Sequence, residues 1–537
     1  VRRLGIVAGL VGFLAAALFL TRPLVGQLAS AIPASLEADV EHQLWAQWWF
    51  GRALATGHPL FHTDVIHFPQ QVDLSLADLN LALLADFWLV ERVAGTLLTW
   101  NLLLLASCVL AGAGLWPLAL RASGRRDAAW LAALCFAASA YWRACAANAW
   151  LYLAQGFVLP LALLAGARAL RTRRRADAAL VALAVALAFH LTPIYFLFLL
   201  LLAAVLAPWH AERVRAWVVG AGGAQRVAVF AGVLALLVLP RAWGMLRASQ
   251  TLLVVHSSPF DSHLAARALE LVSPWTSAVE ASPRWGFRGA YLGAVPLALA
   301  AFAFARGDAA QRRRLAPWLG GALVFAVLAL GPYAEVGGAR VPLPFWALAQ
   351  LPGFSQLTNP WRFALPSLLC LALPAGAGAA ALARAADVRA RGAGAALVIA
   401  LGVVHVLEIG NAPPFPARMA LWRDRPAPIA TALRDDAELR AVLDLSRHPK
   451  RNQRTHGKAI VSGWLPRVAV RVVDETEQLV ERVRAAPPGA RADRLGASGI
   501  GAVIVDDTRG WRIRPDPERP GRFVEERIEL RDAAAAR

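Results

Sequence analysis

Apolar runs of 17 or more residues recur along the first three quarters of the chain, each bounded by polar stretches. A run of that length suits a lipid-crossing helix, whose backbone must satisfy its own hydrogen bonds where no water is available. The pattern predicts about eleven spans: Leu4–Leu20, Leu97–Leu120, Ala128–Tyr141, Leu151–Leu170, two short helices within Ala176–Trp209, Arg226–Pro240, Ala290–Ala305, Leu315–Leu330, Phe363–Ala383 and Ala393–Ile409. The block Ala176–Trp209 is too long for one crossing, and His190, Thr192 and Pro193 interrupt it. Leu79–Ala94 is apolar but carries Asp86, Glu91 and Arg92, which suits a helix lying at the membrane interface.

Residues 411–537 read differently. No apolar run there is long enough to cross a bilayer, while AVLDL (441–445) and AVIVDD (502–507) read as short buried strands. DETEQLVERVRAA (474–486) reads as an amphipathic helix. The expected architecture is an all-α polytopic membrane domain over 1–410 with a small α/β extracytoplasmic domain over 411–537.

Composition supports this division. The chain has 537 residues, is 58% hydrophobic and only 17% charged, where soluble domains run near a quarter charged. The formal net charge of +19 does not point to nucleic acid, because the arginines cluster between apolar runs, as at RASGRRD and RTRRR. Applied to these clusters, the positive-inside rule places the N-terminus in the cytoplasm with an uncleaved first span. An odd span count then places the C-terminal domain outside. Lysine is nearly absent, at Lys450 and Lys458, and this scarcity reads as compositional bias toward Arg and Ala with no functional content. Cys108, Cys135, Cys145 and Cys370 show no zinc or disulfide spacing. No P-loop, Rossmann fingerprint or metalloprotease motif appears in a supporting context, which argues against an ATP-driven pump.

Polar chemistry gathers in the expected outer loops, at 21–96, 241–288 and 331–361. LEADVEHQLWAQWWFGRAL places Asp39 and Glu41 among Trp45, Trp48 and Trp49. A carboxylate near a membrane is costly to desolvate, so Asp39 is the candidate base, with Glu41 second. The tryptophans fit an interfacial belt better than a sugar-stacking platform. Arg143, Arg241 and Arg362 are candidates to hold a phosphate, against the alternative of snorkelling to headgroups. His58, His62 and His67 are read as loop histidines, since Pro59 interrupts their spacing. A divalent metal stays open as a cofactor.

Several stretches resemble one family in order. GHPLFHTDVIHFPQQ is similar to a "G-x-P-L … Y-P-x-G" segment, LGAVPLALAAFAF to a "Y-L-G" span, and LPGFSQLTNPWRFALP to an "R-x-P-x-R-F" element. AVLDLSRHPKRNQRTHGKAIVSGWLPR looks like an outer segment "V-L-D-L-P … Q-x-x-H-G-K-P-I-V-x-G … R". In these stretches the chain resembles the GT-C glycosyltransferase superfamily, in its YfhO-like bacterial branch. Ser446, Ala459 and Gln71 depart from the pattern. The resemblance implies a multi-pass protein of the bacterial inner membrane that takes hexose or pentose from a polyprenyl-phosphate donor. The acceptor is a glycan, lipid or protein on the outer face, and membrane lipid surrounds the chain. It implies a role for Asp39, matches Arg362 to a family arginine, and matches His456, Lys458 and Arg467 to the outer segment. The rival readings are a transporter or flippase of lipid-linked sugars and a non-catalytic scaffold.

Overall fold

The computed structural model describes residues 2–35, 37–251, 253–255, 258–260, 264–274, 288–351, 353–412, 418–463, 465, 467–520 and 522–529. Part of the expected outer loop at 241–288 lies outside these residues. The chain divides into two compact units. The first comprises 1–36, 80–239 and 257–422, and the second 37–79, 240–256 and 423–537.

The first unit is helical. Among the described residues six helices are long and apolar enough to cross a membrane: Thr96–Ser123, Leu151–Thr172, Pro193–Val218, Gly223–Ala248, Pro360–Arg389 and Ala393–Asn411. The helix Gly223–Ala248 runs on past the boundary between the units. Gly5–Leu20 and Ala294–Arg306 are shorter apolar helices. Helix Arg126–Ala137 fills the place of the expected third span with 12 residues. The break within the long apolar block falls at Thr192, which is extended, and Pro193 opens the next helix, where its missing N–H costs nothing. His190 Nε2 meets the Leu237 carbonyl at 2.9 Å, which satisfies a polar ring on an apolar helix.

One helix sits at the centre of this unit. The apolar stretch of Pro360–Arg389 is 89% buried, against 11% for Gly223–Ala248. Its sequence PAGAGAAALA explains why. Small residues let backbones approach closely where lipid offers no hydrophobic drive between helices. A Cβ at Gly378 would collide with the Leu299 carbonyl, and one at Gly376 would lie 3.1 Å from the Ala132 methyl. Ala375, Ala379, Ala380 and Ala383 pack with Leu131, Leu299 and Val398 in the same core.

The second unit is built on a five-stranded mixed sheet in the order 523–529, 509–515, 500–504, 441–444, 459–460. Its central pair, Ile500–Ile504 and Ala441–Asp444, is parallel. The strand period of two sends Val442, Ala502 and Ile504 to one face, against Ile429 and Leu433. Leu443 and Val503 go to the other, against Val483 and Leu495. The two-residue strand at 459–460 does not end the sheet. Ile460 donates to the Val65 carbonyl at 2.9 Å, and Phe68 donates back to Ile460 at 3.0 Å. A segment of the first polar loop thereby continues the ladder. For this reason the unit reaches beyond the expected domain at 411–537 and takes in 37–79.

Candidate functional site

The second unit carries the acidic helix, Glu37–Thr56, and a very polar short helix, Pro449–His456, here the lysine helix. Helical spacing puts Trp45 and Trp49 on one face of the acidic helix, a turn apart. Their rings are stacked with centroids 6.4 Å apart, and both residues are buried. Trp45 Nε1 donates to Gln453 Oε1 at 2.7 Å, and Trp49 Nε1 to the Leu60 carbonyl at 2.9 Å. These two tryptophans are core residues of the unit, which corrects the expectation of an interfacial belt. A buried indole needs a partner for its N–H, and each has one.

Between the two helices lies a buried lysine. Lys450 is 3% exposed. Its ammonium lies 2.9 Å from His42 Nδ1 and 5.1 Å from the centre of the Trp45 ring. An ammonium is only a donor, so His42 Nδ1 accepts and the proton of the neutral ring sits on Nε2. Nε2 then donates to the Ala77 carbonyl at 3.1 Å. Burial pulls the Lys450 ammonium down to about 7, against the opposing charges of Glu41 and Asp39. Burial, with Lys450 beside it, holds His42 well below its ordinary range, so the ring is neutral.

Glu41 is buried and pairs with His448 Nδ1 at 2.5 Å. Asp39 is half-buried, two residues earlier on the same helix. Glu41 and His448, and His42 and Lys450, thus meet where the acidic helix faces the lysine helix, and the charge of Asp39 acts on Lys450. His42, His448 and Lys450 are the members that sequence reasoning missed. One cue was available: a chain with 55 basic residues holds two lysines, and both fall within nine residues of each other.

A second polar cluster lies in the same unit. Asp78 adopts a left-handed backbone with φ 56°, a conformation that aspartate tolerates better than most residues. Its carboxylate lies 3.7 Å from Arg467, and its charge also acts on Arg241. Arg241 is buried and donates through Nη2 to the Leu79 carbonyl at 2.6 Å.

The remaining expected site residues fall elsewhere. His456 is buried, and its Nδ1 accepts from the Lys458 backbone N–H at 3.0 Å. Burial, with Lys458 adding to it, lowers His456 to about 3. Lys458 Nζ donates to the Asp436 carbonyl at 2.5 Å, which ties the segment after the lysine helix to the segment before the strand 441–444. Arg143, in the first unit, is buried and donates to the Ile409 carbonyl at the end of helix Ala393–Asn411. Arg22 donates to Gly410 and Asn411 at the same helix end. Two guanidiniums there offset the negative end of the helix dipole. Arg362, also in the first unit, lies 5.7 Å over the Trp150 ring. His67 is buried, and its Nδ1 lies 3.2 Å from the Thr476 hydroxyl. Burial lowers it to about 4. Among the described residues no three His, Cys, Asp or Glu side chains gather to hold a metal ion. The acidic helix faces a lysine instead.

No protein-family model matches the chain, and no curated protein matches it. Solved structures do. The arabinofuranosyltransferase AftD from Mycobacteria aligns over 97% of this chain with a TM-score of 0.57 and 17% identity. A mutant of that enzyme aligns over 94% with a TM-score of 0.56 and 17% identity. This chain spans 36% of the length of each. The oligosaccharyltransferase of Archaeoglobus fulgidus, tethered to an acceptor peptide, aligns over 93% of this chain and 68% of its own, with a TM-score of 0.50 and 10% identity. The shared property is the fold. This is a multi-pass membrane protein with the fold of the GT-C glycosyltransferases.

Proposed function

We propose that this protein is a membrane glycosyltransferase that moves a sugar from a polyprenyl-phosphate carrier to an acceptor hydroxyl on the outer face. The observation that carries the reading is the Asp39–Glu41 pair, held on one helix against a buried lysine in a GT-C fold. The Asp39 carboxylate takes the proton of the acceptor hydroxyl as that oxygen attacks the anomeric carbon. The bond from that carbon to the phosphate oxygen breaks, and polyprenyl phosphate leaves as the anion. Arg241 and Arg467, beside Asp78, are the guanidiniums of the same unit suited to a phosphate. In this reading the chain crosses the inner membrane about eleven times, with its N-terminus in the cytoplasm and residues 411–537 outside. It belongs to the YfhO-like branch, and its acceptor is a glycan, lipid or protein.

The test gives purified protein radiolabelled polyprenyl-phosphate pentose and hexose donors, with glycan, lipid and protein acceptors. Label in an acceptor supports the reading and assigns the sugar. Saturable donor binding and movement between leaflets without cleavage would replace it with a flippase. Neither binding nor cleavage would leave a scaffold.

A further inference from the structure

Burying a lysine is expensive. A charged ammonium removed from water loses several kcal/mol of solvation unless partners return it, and an apolar side chain of similar size is usually cheaper. This chain has arginine at nearly every other basic position, yet keeps a lysine at 450, buried beneath the acidic helix. The position is also specific. The ammonium meets His42 at 2.9 Å and lies over Trp45, and both sit within two turns of Asp39.

The groups facing Lys450 are accounted for. His42 meets it from the acidic helix, the charges of Asp39 and Glu41 on that helix act on it, and His67 feels its charge from the loop that follows. His448, at the start of its own helix, is paired with Glu41. Both carboxylates favour the charged amine, and the three histidines do not compete for its place, because His42 and His67 are held neutral and His448 is bound to Glu41. The Lys450 ammonium therefore acts on both carboxylates, and Glu41 has His448 as a second partner. A three-donor metal nest is not formed there among the described residues.

We propose that Lys450 is a positioning residue of the candidate site. Its ammonium fixes the first turns of the acidic helix through His42 and holds Asp39 and Glu41 in their anionic, proton-accepting form. The role of the anionic Asp39 in turnover rests on the glycosyl-transfer reading. The coupling of Lys450 to the two carboxylates does not.

The experiment has two arms, both on the full chain in lipid nanodiscs. In the first, the protein carries 13Cε-lysine. Two lysines give two resonances, and Lys458→Arg assigns them. Lys450 titrates near neutral pH, and Asp39→Asn and Glu41→Gln each lower its midpoint by about one unit, as expected on losing a neighbouring opposite charge. A midpoint at the ordinary lysine value, or one unmoved by both substitutions, overturns the proposal. In the second arm, the pH profile of sugar transfer is compared across wild type, Lys450→Arg and Lys450→Met. The guanidinium does not deprotonate in the working range, so Lys450→Arg extends activity to higher pH. Lys450→Met moves the acid limb upward, because the carboxylates lose their cation. A merely structural lysine would lower the rate in both variants and leave both limbs in place, which overturns the proposal. A wild type with no transfer activity defeats the functional reading, and the resonance arm then still decides the role of Lys450.

Discussion

The ammonium of Lys450 lies 2.9 Å from Nδ1 of His42, a residue 408 positions earlier in the chain. This contact joins the first polar loop to the C-terminal segment inside one folded unit. Glu41 and His448 make a parallel link one residue away on the acidic helix. Trp45 and Gln453 make a third. The acid-bearing helix is thus held by side chains that the late part of the sequence supplies.

The Glu41–His448 pair sets a stability prediction. Leaving a buried polar group without its partner typically costs about 1–3 kcal/mol. His448→Ala leaves Glu41 buried without its imidazole and should lose stability on that scale in denaturant unfolding. Adding Glu41→Gln to His448→Ala should recover part of the loss. Strict additivity of the two substitutions would show that the pair is not coupled.

Much of the helical unit was legible, because apolar runs and a proline break are local properties. Thr192–Pro193 divides two helices where the polar interruption stood. The strand at 441–444 lies within the expected 441–445, while the strand at 500–504 and the helix Val470–Arg484 overlap the expected 502–507 and 474–486, each starting earlier. The site was legible only from one side. Asp39 and Glu41 stood out in a Trp-rich loop, but nothing local marks Trp45 as a core residue whose indole meets Gln453. Lys450 lies in PKRNQRTH, a stretch polar enough to read as exposed. Its burial comes from a pairing across the whole chain, which periodicity does not encode.

Two histidines predict acid sensitivity. His67 and His456 are lowered to about 4 and about 3. Both are neutral in the fold near neutral pH, whereas the unfolded chain protonates them near 6.5. Below that value the unfolded state binds more protons, so stability falls as pH drops from about 6.5 toward the folded values. Each unit of pH in that window removes roughly 1.4 kcal/mol per histidine. His67→Gln with His456→Gln should flatten the acid side of the melting-temperature profile.

Lys450 acts on the alkaline side. Its value of about 7 lies far below that of an exposed lysine, so between about 7 and 10 the unfolded chain binds the extra proton. The contribution of this group therefore grows more favourable as pH rises through that window. Unfolding of wild type and Lys450→Arg, compared from neutral to alkaline pH, should show the rise only in wild type.

Arg143 is predicted to support the helix end rather than bind donor. Arg143→Ala leaves the Ile409 carbonyl without a buried donor, at a cost of about 1–3 kcal/mol. Unfolding should report that loss, while the KM for donor stays unchanged. A KM rise without a stability loss would return Arg143 to the phosphate-binding group.

The most direct measurement is transfer from a radiolabelled polyprenyl-phosphate sugar by wild type and by Asp39→Asn in nanodiscs. With Asp39 as the base, wild type turns over, and Asp39→Asn loses about 10²–10⁴-fold in rate while still binding donor. Equal transfer by both proteins would contradict the assignment of Asp39, and saturable binding with no turnover in either would contradict the glycosyltransferase itself.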